Sequence, residues 1–438
     1  MAAGSRRLPR HRVLLVLAAV VALCAPWAAP APTPAPTAAR YFGTLQTDPA
    51  RAVQEHRSGL GVAELELRWD SYEPREGVHD PQYVESVRAR IRTLRSAGLR
   101  IEASLGLNHP PAWLASVYPA TAFVDQYGDR YTGAPNLVFS PTAREKARHY
   151  VDMVSRDLGL GQFWAIRVGV DADGEFSYPP TAGDGSHTNA YWAFDPGAQA
   201  PAGDGARPAG VPANPFPGWR PGEAAHDGRP FTAQDADTWA RWYLAALAGA
   251  VNWQIDLYGA RHFRGHLDVL VPGTGIRPWE YRAAVDRLLD GTVEPRWMGL
   301  GVAFQRTVPL VRPGPGVRIV ATSVVDGSGA PADNGCASTD RLVDVASASA
   351  AEAGTWSSVR WVAAVADRSG FALAGESAGP QVSAYHPGTM DAVARQLSSC
   401  GLRGLMWAFD ADLHHHATPG ASLGDYAALA ARLGGAHP

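Results

Sequence analysis

The chain has 438 residues, 46% of them hydrophobic and 18% charged, which is enough to bury a large core in one barrel or in two ordinary domains. The formal net charge of −3 is close to neutral and favours neither nucleic acid nor an anionic membrane surface as a partner. Fourteen tryptophans and fourteen tyrosines are many for this length, and core packing accounts for most of them.

The N-terminal segment has the pattern of an export signal. Several arginines precede an apolar run at 13–23, which is too short for an ordinary membrane span, and Ala- and Pro-rich sequence follows it. We therefore expect residues 1–39 to be a signal peptide and leader, and residues 40–438 to be the secreted protein. A lipid anchor at Cys24 is the alternative, although Leu23 fits a lipoprotein signal poorly.

Beyond residue 40, short apolar segments alternate with segments of helical periodicity. The predicted strands are 41–46, 61–68, 99–105, 163–170, 266–271, 317–325, 371–377 and 402–410. The predicted helices are 81–97, 142–158, 234–258, 278–290, 338–352, 355–368, 390–397 and 422–433. Segment 298–305 is an alternative sixth strand. Eight strand–helix units predict a single α/β domain, a (β/α)₈ TIM barrel.

One connection in this pattern is unusually long. Residues 179–233, after the fourth strand, are rich in Pro, Gly and Asp, and they also contain Trp192, Phe194, Phe216 and Trp219. Structureless loops of this length are uncommon in compact domains, and the aromatic residues favour a folded loop. We expect this insertion to lie over the active-site face of the barrel.

Two glutamates follow predicted strands at the places where barrel enzymes keep catalytic groups. Glu175 comes after the fourth strand and Glu376 after the seventh, each on a turn that contains glycine. Phe176 and Tyr178 beside Glu175 should raise the pKa of its carboxyl, and nearby aspartates act in the same direction. A pair of this kind predicts a glycosidase with Glu175 as acid/base and Glu376 as nucleophile.

Three segments resemble the retaining glycoside hydrolases of clan A, and the likeness is strongest to the β-galactosidases of glycoside hydrolase family 42. Segment 68–77 (RWDSYEPREG) is similar to the clan's second-strand signature, and segment 109–114 (HPPAWL) to that family's sequence after the third strand. Trp407 stands where the clan has a tryptophan on the eighth strand. Segment 174–179 (GEFSYP) is instead similar to the β-amylases, which invert configuration, because Gly174 replaces the asparagine usual in clan A.

The resemblance implies a β-glycoside hydrolase acting on glycosides, oligosaccharides or polysaccharides, with a β-galactosidase as one form. An inverting hydrolase of α-glucans and a non-catalytic carbohydrate-binding barrel are the alternatives. We expect Arg68 to orient Glu376, Asn108 and His109 to bind hydroxyls, and Trp407 to stack on a sugar ring. The alternatives are a salt bridge at the barrel floor for Arg68, a role in the turn for Asn108 and His109, and core packing for Trp407. The expected substrate-binding residues are Arg68, Trp69, Asp70, Asn108, His109, Trp113, Tyr178, Trp407 and Asp410.

No cofactor or metal is predicted. Three consecutive histidines, 414–416, cannot all face one ion in regular structure, so we interpret them as a solvated loop at the barrel mouth. Asp171 and Asp173 resemble the start of a calcium loop, but the later ligands are missing. Cys336 and Cys400 remain once the signal is removed. One disulfide is the simplest interpretation in an oxidising compartment, and two separately buried thiols are the alternative.

Overall fold

The computed structural model describes residues 40–182, 187–203, 205–291, 296–325, 335–377, 388–415 and 421–434. Eight parallel strands close into a barrel in chain order, with the first strand paired to both the second and the eighth. The strands are β1 Tyr41–Thr44, β2 Val62–Glu66, β3 Arg100–Ser104, β4 Ala165–Val168, β5 His266–Val271, β6 Val317–Ala321, β7 Ala372–Glu376 and β8 Gly404–Trp407. The predicted (β/α)₈ barrel is confirmed.

Each strand is followed by a helix of the outer ring. These are α1 Ala52–Arg57, α2 Pro81–Ser96, α3 Pro141–Asp157, α4 Ala233–Gly259, α5 Pro278–Asp286, α6 Ser358–Arg368, α7 Thr389–Ser399 and α8 Leu423–Arg432. Shorter helices are Trp69–Tyr72, Ala112–Val117, Pro196–Gln199, Arg296–Gly299, Phe304–Thr307, Ala350–Ala353 and Asp410–His415. Single 3₁₀ turns are Pro119–Thr121, Leu160–Gln162, Val308–Leu310 and Asp340–Leu342.

Two predictions in the sixth unit have different outcomes. The preferred sixth strand is confirmed, since β6 lies within 317–325, while the alternative segment 298–305 contains helical turns. The long helix predicted over 338–352 is wrong. The Asp344 carboxylate accepts hydrogen bonds from Ala346 N at 3.1 Å and Ser347 Oγ at 2.6 Å. Local side-chain bonds of this kind offer the backbone an alternative to the helix.

Residues along the barrel strands alternate between two environments. Leu65, Ile101 and Ile166 belong to the core between the sheet and the outer helices. Val62 instead packs with residues of the opposite strands β5 to β8, so it faces the barrel interior. Because strand side chains alternate with a period of two, the inward positions after Val62 on β2 are Glu64 and Glu66. The barrel interior is therefore partly charged.

The N-terminal end of the barrel is closed by a buried ion pair. Arg318 on β6 binds Asp268 on β5 through two hydrogen bonds of 2.6 and 2.5 Å. Its guanidinium also lies 4.9 Å from the ring centroid of Tyr41 and 4.6 Å from that of Trp164. With both charges paired and the cation against two aromatic rings, this end of the barrel is filled by side chains.

The described part of the long insertion is folded. It contains the helix Pro196–Gln199 and a two-stranded hairpin, Ala225–His226 with Arg229–Pro230. Trp219 has no exposed surface, and its ring stacks on Phe231 at 4.1 Å and lies 5.5 Å from Trp239 of α4. The aromatic residues of this insertion therefore pack into a core. Its location over the active-site face stays a prediction.

The N-terminal leader, residues 1–39, lies outside the described residues, so the signal peptide stays a prediction. Within the ranges that the structure describes, no helix combines the length and the apolar character needed to cross a membrane. Cys336 and Cys400 form a disulfide with their Cα atoms 4.9 Å apart. The expected pairing is confirmed, and it is consistent with an oxidising compartment.

Breaking this disulfide should destabilise the protein. Cys336 and Cys400 are 64 positions apart, so the bridge restricts a long loop of the unfolded chain and contributes about 4 kcal/mol by loop-closure entropy. Urea unfolding of a Cys336→Ser/Cys400→Ser double variant should show a loss of this size. Reductant should destabilise the parent protein similarly and leave the double variant unchanged. Equal stability of parent and double variant would contradict the prediction.

Candidate active site

Glu175 lies on a tight turn directly after β4. Its backbone oxygen accepts hydrogen bonds from Val170 N at 2.7 Å and Asp171 N at 3.3 Å. A Cβ added to Gly169 would lie 1.9 Å from the Gly174 oxygen, and Gly174 itself has φ +77°, so both positions require glycine. The turn therefore holds the Glu175 side chain at the C-terminal end of the barrel.

The buried carboxylate of Asp171 organises this turn. Its Oδ1 accepts hydrogen bonds from Asp173 N at 3.1 Å and Glu175 N at 2.7 Å, and its Oδ2 accepts one from Ser177 Oγ. Burial raises the pKa of Asp171 to about 7. The oxygens of Asp171 thus bind three donors of the turn itself, which fixes the path of the chain up to Glu175.

The Glu175 carboxyl is held in a setting that favours its protonated form. Burial, followed by the negative charge of Asp171, raises the pKa of Glu175 to about 8. The hydroxyl of Thr322, just after β6, donates a 2.6 Å hydrogen bond to Glu175 Oε1, and this bond lowers the pKa of Glu175. The direction of the shift agrees with the sequence-based expectation. At neutral pH this carboxyl can therefore donate a proton.

Glu376 is buried at the end of β7 and is bound by an arginine from β4. Arg167 donates from Nη1 to Glu376 Oε1 at 2.5 Å and from Nη2 to Oε2 at 3.2 Å. This two-point contact neutralises the carboxylate and fixes its orientation. Sequence reasoning assigned this role to Arg68, which was wrong, because Arg68 pairs instead with Asp70 at 3.2 and 2.6 Å.

Arg167 is also surrounded by carboxylates from two other strands. Its Nε lies 3.7 Å from Glu64 Oε1 and its Nη1 lies 3.9 Å from Glu102 Oε1. Burial raises the pKa values of Glu64 and Glu102, and the positive charge of Arg167 opposes both shifts. One guanidinium therefore serves three carboxyl groups in the barrel interior, and its tightest contact is with Glu376.

Glu175 and Glu376 belong to one electrostatic site. The negative charge of Glu376 is among the influences that raise the pKa of Glu175. A cavity of about 530 Å³ adjoins Glu175. Its wall includes Asp173, Glu175, Tyr178, Thr274, Trp297 and Leu300. The site thus combines a carboxyl with a raised pKa, a charge-paired carboxylate and space for a ligand beside the first of them.

Of the two predicted hydroxyl ligands, Asn108 contacts this turn and His109 is its neighbour in the chain. Asn108 donates from Nδ2 to the Ala172 oxygen at 3.0 Å, and a Cβ added to Gly174 would lie 3.7 Å from the same nitrogen. His109 Nε2 lies 2.6 Å from Glu66 Oε1, and this hydrogen bond is the main influence that lowers the pKa of Glu66. Both side chains are half-buried, so they stay candidates for substrate contact.

Four other predicted substrate contacts are fully buried in the structure. Trp69 stacks on Tyr150 at 5.0 Å, and Tyr178 stacks on Tyr243 at 4.0 Å. The fully buried members of the predicted set are Trp69, Tyr178, Trp407 and Asp410. Side chains without exposed surface cannot form a sugar-stacking platform in this conformation, so the core alternative holds for Trp407, and Trp69 is a core residue as well. Trp113 is half-buried and donates from Nε1 to the Glu73 oxygen at 2.9 Å.

Arg167 and Thr322 are the important site residues that sequence reasoning missed. A signal for Arg167 was present, since it is the only charge in the apolar segment 163–170, and a buried charge requires a partner. Thr322 offered no such signal, because a threonine after a strand is common. Its role depends on a contact across 147 positions of sequence.

No protein-family model matches the chain. Among solved structures, the chain is similar to the catalytic domain of a β-amylase from Paenibacillus polymyxa, with a TM-score of 0.61 and 14% identity over 90% of this chain and 98% of that one. β-Galactosidases from Marinomonas ef1 and Bacillus circulans sp. alkalophilus give TM-scores of 0.53 and 0.50 at 12% identity. This chain spans 59% and 56% of their lengths. At these identities the likeness establishes a shared barrel fold.

Proposed function

We propose that the protein is a glycoside hydrolase in which Glu175 is the general acid/base and Glu376 the nucleophile. The proposal rests on the difference between the environments of these two carboxyl groups. Burial raises the pKa of Glu175 to about 8, whereas Arg167 binds both oxygens of Glu376. Enzymes divide acid and base roles between two carboxyls by giving them different environments in this way.

The proposed reaction is a double displacement. Glu376 attacks the anomeric carbon while Glu175 gives its proton to the leaving oxygen, so that a glycosyl–enzyme bond forms as the glycosidic bond breaks. Glu175, now ionised, then takes a proton from a water molecule that attacks the same carbon and releases Glu376. The cavity beside Glu175 supports this assignment, since the leaving group must lie on the side of the proton donor.

The proposed substrates are β-glycosides. β-Galactosides are the first to test, because segments 68–77 and 109–114 resemble family 42. Asn108 and His109 lie close to the acid/base turn and are the proposed hydroxyl ligands. A panel of chromogenic glycosides and maltooligosaccharides tests the proposal. Saturable sugar binding without hydrolysis of any panel member would indicate the non-catalytic carbohydrate-binding barrel instead.

An inverting hydrolase of α-glucans is the second candidate. The observation that favours it is segment 174–179, where Gly174 replaces the asparagine usual in clan A and the sequence is similar to the β-amylases. In an inverting enzyme Glu376 would act as general base on a water molecule. The two carboxyls would then lie about 6.5–9.5 Å apart, in contrast to about 5–5.5 Å for direct attack.

The stereochemistry of the first product separates these candidates. We expect the sugar released first to keep the configuration of the substrate, because Glu376 attacks the anomeric carbon itself. ¹H NMR at early reaction times, before mutarotation, identifies this anomer. An initial product of inverted configuration would exclude the double displacement while leaving Glu175 as the acid.

The pH dependence of kcat/KM should report Glu175. Since the acid must be protonated, kcat/KM should fall as the pH rises through about 8. Thr322→Val removes a hydrogen bond that lowers the pKa of Glu175, so the alkaline limb should move to higher pH. Thr238→Val, on the surface of α4, is the matched control and should leave the profile unchanged. If the alkaline limb of Thr322→Val keeps its position or moves to lower pH, Glu175 is not the group that limits kcat/KM at high pH.

A further inference from the structure

A second cluster of ionisable side chains lies at the C-terminal ends of β1 and β8. Glu55 belongs to α1, and Asp410 and His414 belong to the short helix after β8, four positions apart and therefore on one face. One oxygen of each carboxylate and one ring nitrogen of the histidine lie within 4.8 Å of one another. None of these residues takes part in the reaction proposed above.

The position of His414 differs from the sequence-based interpretation. The histidine run was expected in a solvated loop, yet His414 lies in a helix and its side chain is only 11% exposed. Its neighbour His415 is exposed, with Nε2 3.4 Å from Arg51 Nη2. Residue 416 lies outside the described residues. The buried imidazole of His414 faces Glu55, with Nε2 3.5 Å from Oε1.

Within the described part of the chain, two potential ligand atoms of this cluster are buried without a hydrogen-bond partner. Glu55 has no exposed surface, and its Oε2 accepts a 2.9 Å hydrogen bond from Thr44, but its Oε1 has no hydrogen-bond partner there. His414 Nε2 also has none among these residues. Buried polar atoms are normally satisfied, and an unsatisfied one in a folded protein often marks an absent ion or water. Here two such atoms face each other across the same small space.

Acidic groups gather around this space. Asp410 Oδ1 accepts a hydrogen bond from Arg51, and its Oδ2 accepts one from Asp48 N at 2.5 Å. Asp48 also lies beside Arg51, at 3.8 Å. Three carboxyl groups, those of Glu55, Asp410 and Asp48, thus lie around one guanidinium. A divalent cation between Glu55 and Asp410 would add positive charge to this acidic group.

We propose that Glu55, Asp410 and His414 form a binding site for a divalent transition-metal ion, with Zn²⁺ the ion that suits this donor set. Zinc binds imidazole nitrogen and carboxylate oxygen at about 2.0–2.2 Å in tetrahedral geometry, which puts neighbouring ligand atoms about 3.4 Å apart. The observed 3.5 Å between His414 Nε2 and Glu55 Oε1 matches this spacing. Carboxylates that bind metals are commonly hydrogen-bonded by further groups, as Asp410 is by Arg51 and Asp48.

The ion would join the segment after β1 to the segment after β8, which are the first and last strands of the closed barrel. Metal binding should therefore stabilise the folded protein in proportion to the free ion concentration. This inference does not depend on the proposed glycosidase activity. It holds or fails by metal binding alone.

The test uses the secreted chain, stripped with a chelator and titrated with Zn²⁺ by calorimetry and with Co²⁺ by visible absorption. We expect one ion per chain and an intense Co²⁺ spectrum typical of tetrahedral sites. His414→Gln and Glu55→Gln should each weaken Zn²⁺ binding by more than about 100-fold, beyond the loss typical of supporting residues around a metal. His415→Gln, on the same helix but exposed, is the matched control and should bind as the parent does.

Three results would overturn the proposal. They are no stoichiometric Zn²⁺ binding by the parent, equal affinity in His414→Gln, or a loss in His415→Gln as large as in His414→Gln, which would indicate adventitious binding to surface histidines. Circular dichroism checks that each variant is folded. If a variant does not fold, the Co²⁺ titration of the parent still tests the proposal. A weakly absorbing spectrum typical of octahedral Co²⁺ would exclude the buried site.

Discussion

Glu376→Gln should reduce kcat on a chromogenic glycoside by at least about 10⁴-fold, the scale seen when a catalytic nucleophile is removed. The amide cannot form the glycosyl–enzyme bond, so no leaving group should restore turnover. Steady-state rates with an activated dinitrophenyl glycoside measure this. The exposed Glu145→Gln is the control and should keep parental rates.

Glu175→Gln should fail in a different way. Loss of a general acid typically costs about 10²–10⁴-fold, and only where the leaving group needs a proton. With a dinitrophenyl leaving group, this variant should still form the glycosyl–enzyme, which mass spectrometry detects, and an added anion such as azide should accelerate its breakdown. Near-parental turnover of an unactivated glycoside by either variant would remove that residue from the mechanism.

The two variants should also differ in stability. Glu376 is buried and paired with Arg167, so its loss leaves a guanidinium with two more distant partners and should cost up to roughly 3 kcal/mol. The pKa of Glu175 is about 8 in the folded protein, against an ordinary value of 4.5. The contribution of Glu175 to stability is therefore fully present below about pH 4.5 and is lost as the pH rises through about 8. Urea unfolding should therefore show Glu175→Gln at least as stable as the parent above about pH 8.

Arg167→Met should reduce kcat/KM by at least about 10³-fold at neutral pH, because three buried carboxyl groups lose their shared cation. Arg167→Lys keeps the charge but not the two-point contact, so it should recover part of the activity. In the lysine variant the loss should fall on kcat more than on KM, because Arg167 orients the carboxylate that attacks the anomeric carbon. A purely structural role would lower stability without this split.

Arg318→Lys is the matched control for this experiment. Arg318 is also a buried barrel arginine bound at two points by a carboxylate, but its partner is Asp268, at the N-terminal end. Its replacement should lower stability and leave the kcat of the folded protein unchanged. If both lysine variants lower kcat equally, Arg167 acts through general destabilisation of the barrel and is not a positioning residue for Glu376.

The fold was predictable because it rests on local signals. Strands of about five residues alternate with helices that carry an apolar face, and glycine turns end them. These signals located every barrel strand, including the preferred sixth. The failure at 338–352 has a local cause as well, since the Asp344 carboxylate binds the backbone nitrogen of Ala346 and the hydroxyl of Ser347 in a way that apolar periodicity does not reveal.

By itself the sequence determined the strand ends, and with them the positions of Glu175 and Glu376, because a buried strand followed by a glycine turn is a local pattern. Only the tertiary structure decided which groups meet there. Arg167 lies 209 positions from Glu376 and Thr322 lies 147 from Glu175, so each contact depends on barrel closure. Closure, together with the two-residue alternation of strand side chains, turns Arg167 inward onto Glu376. It also leaves Arg68 outside that contact and encloses His414 beside Glu55.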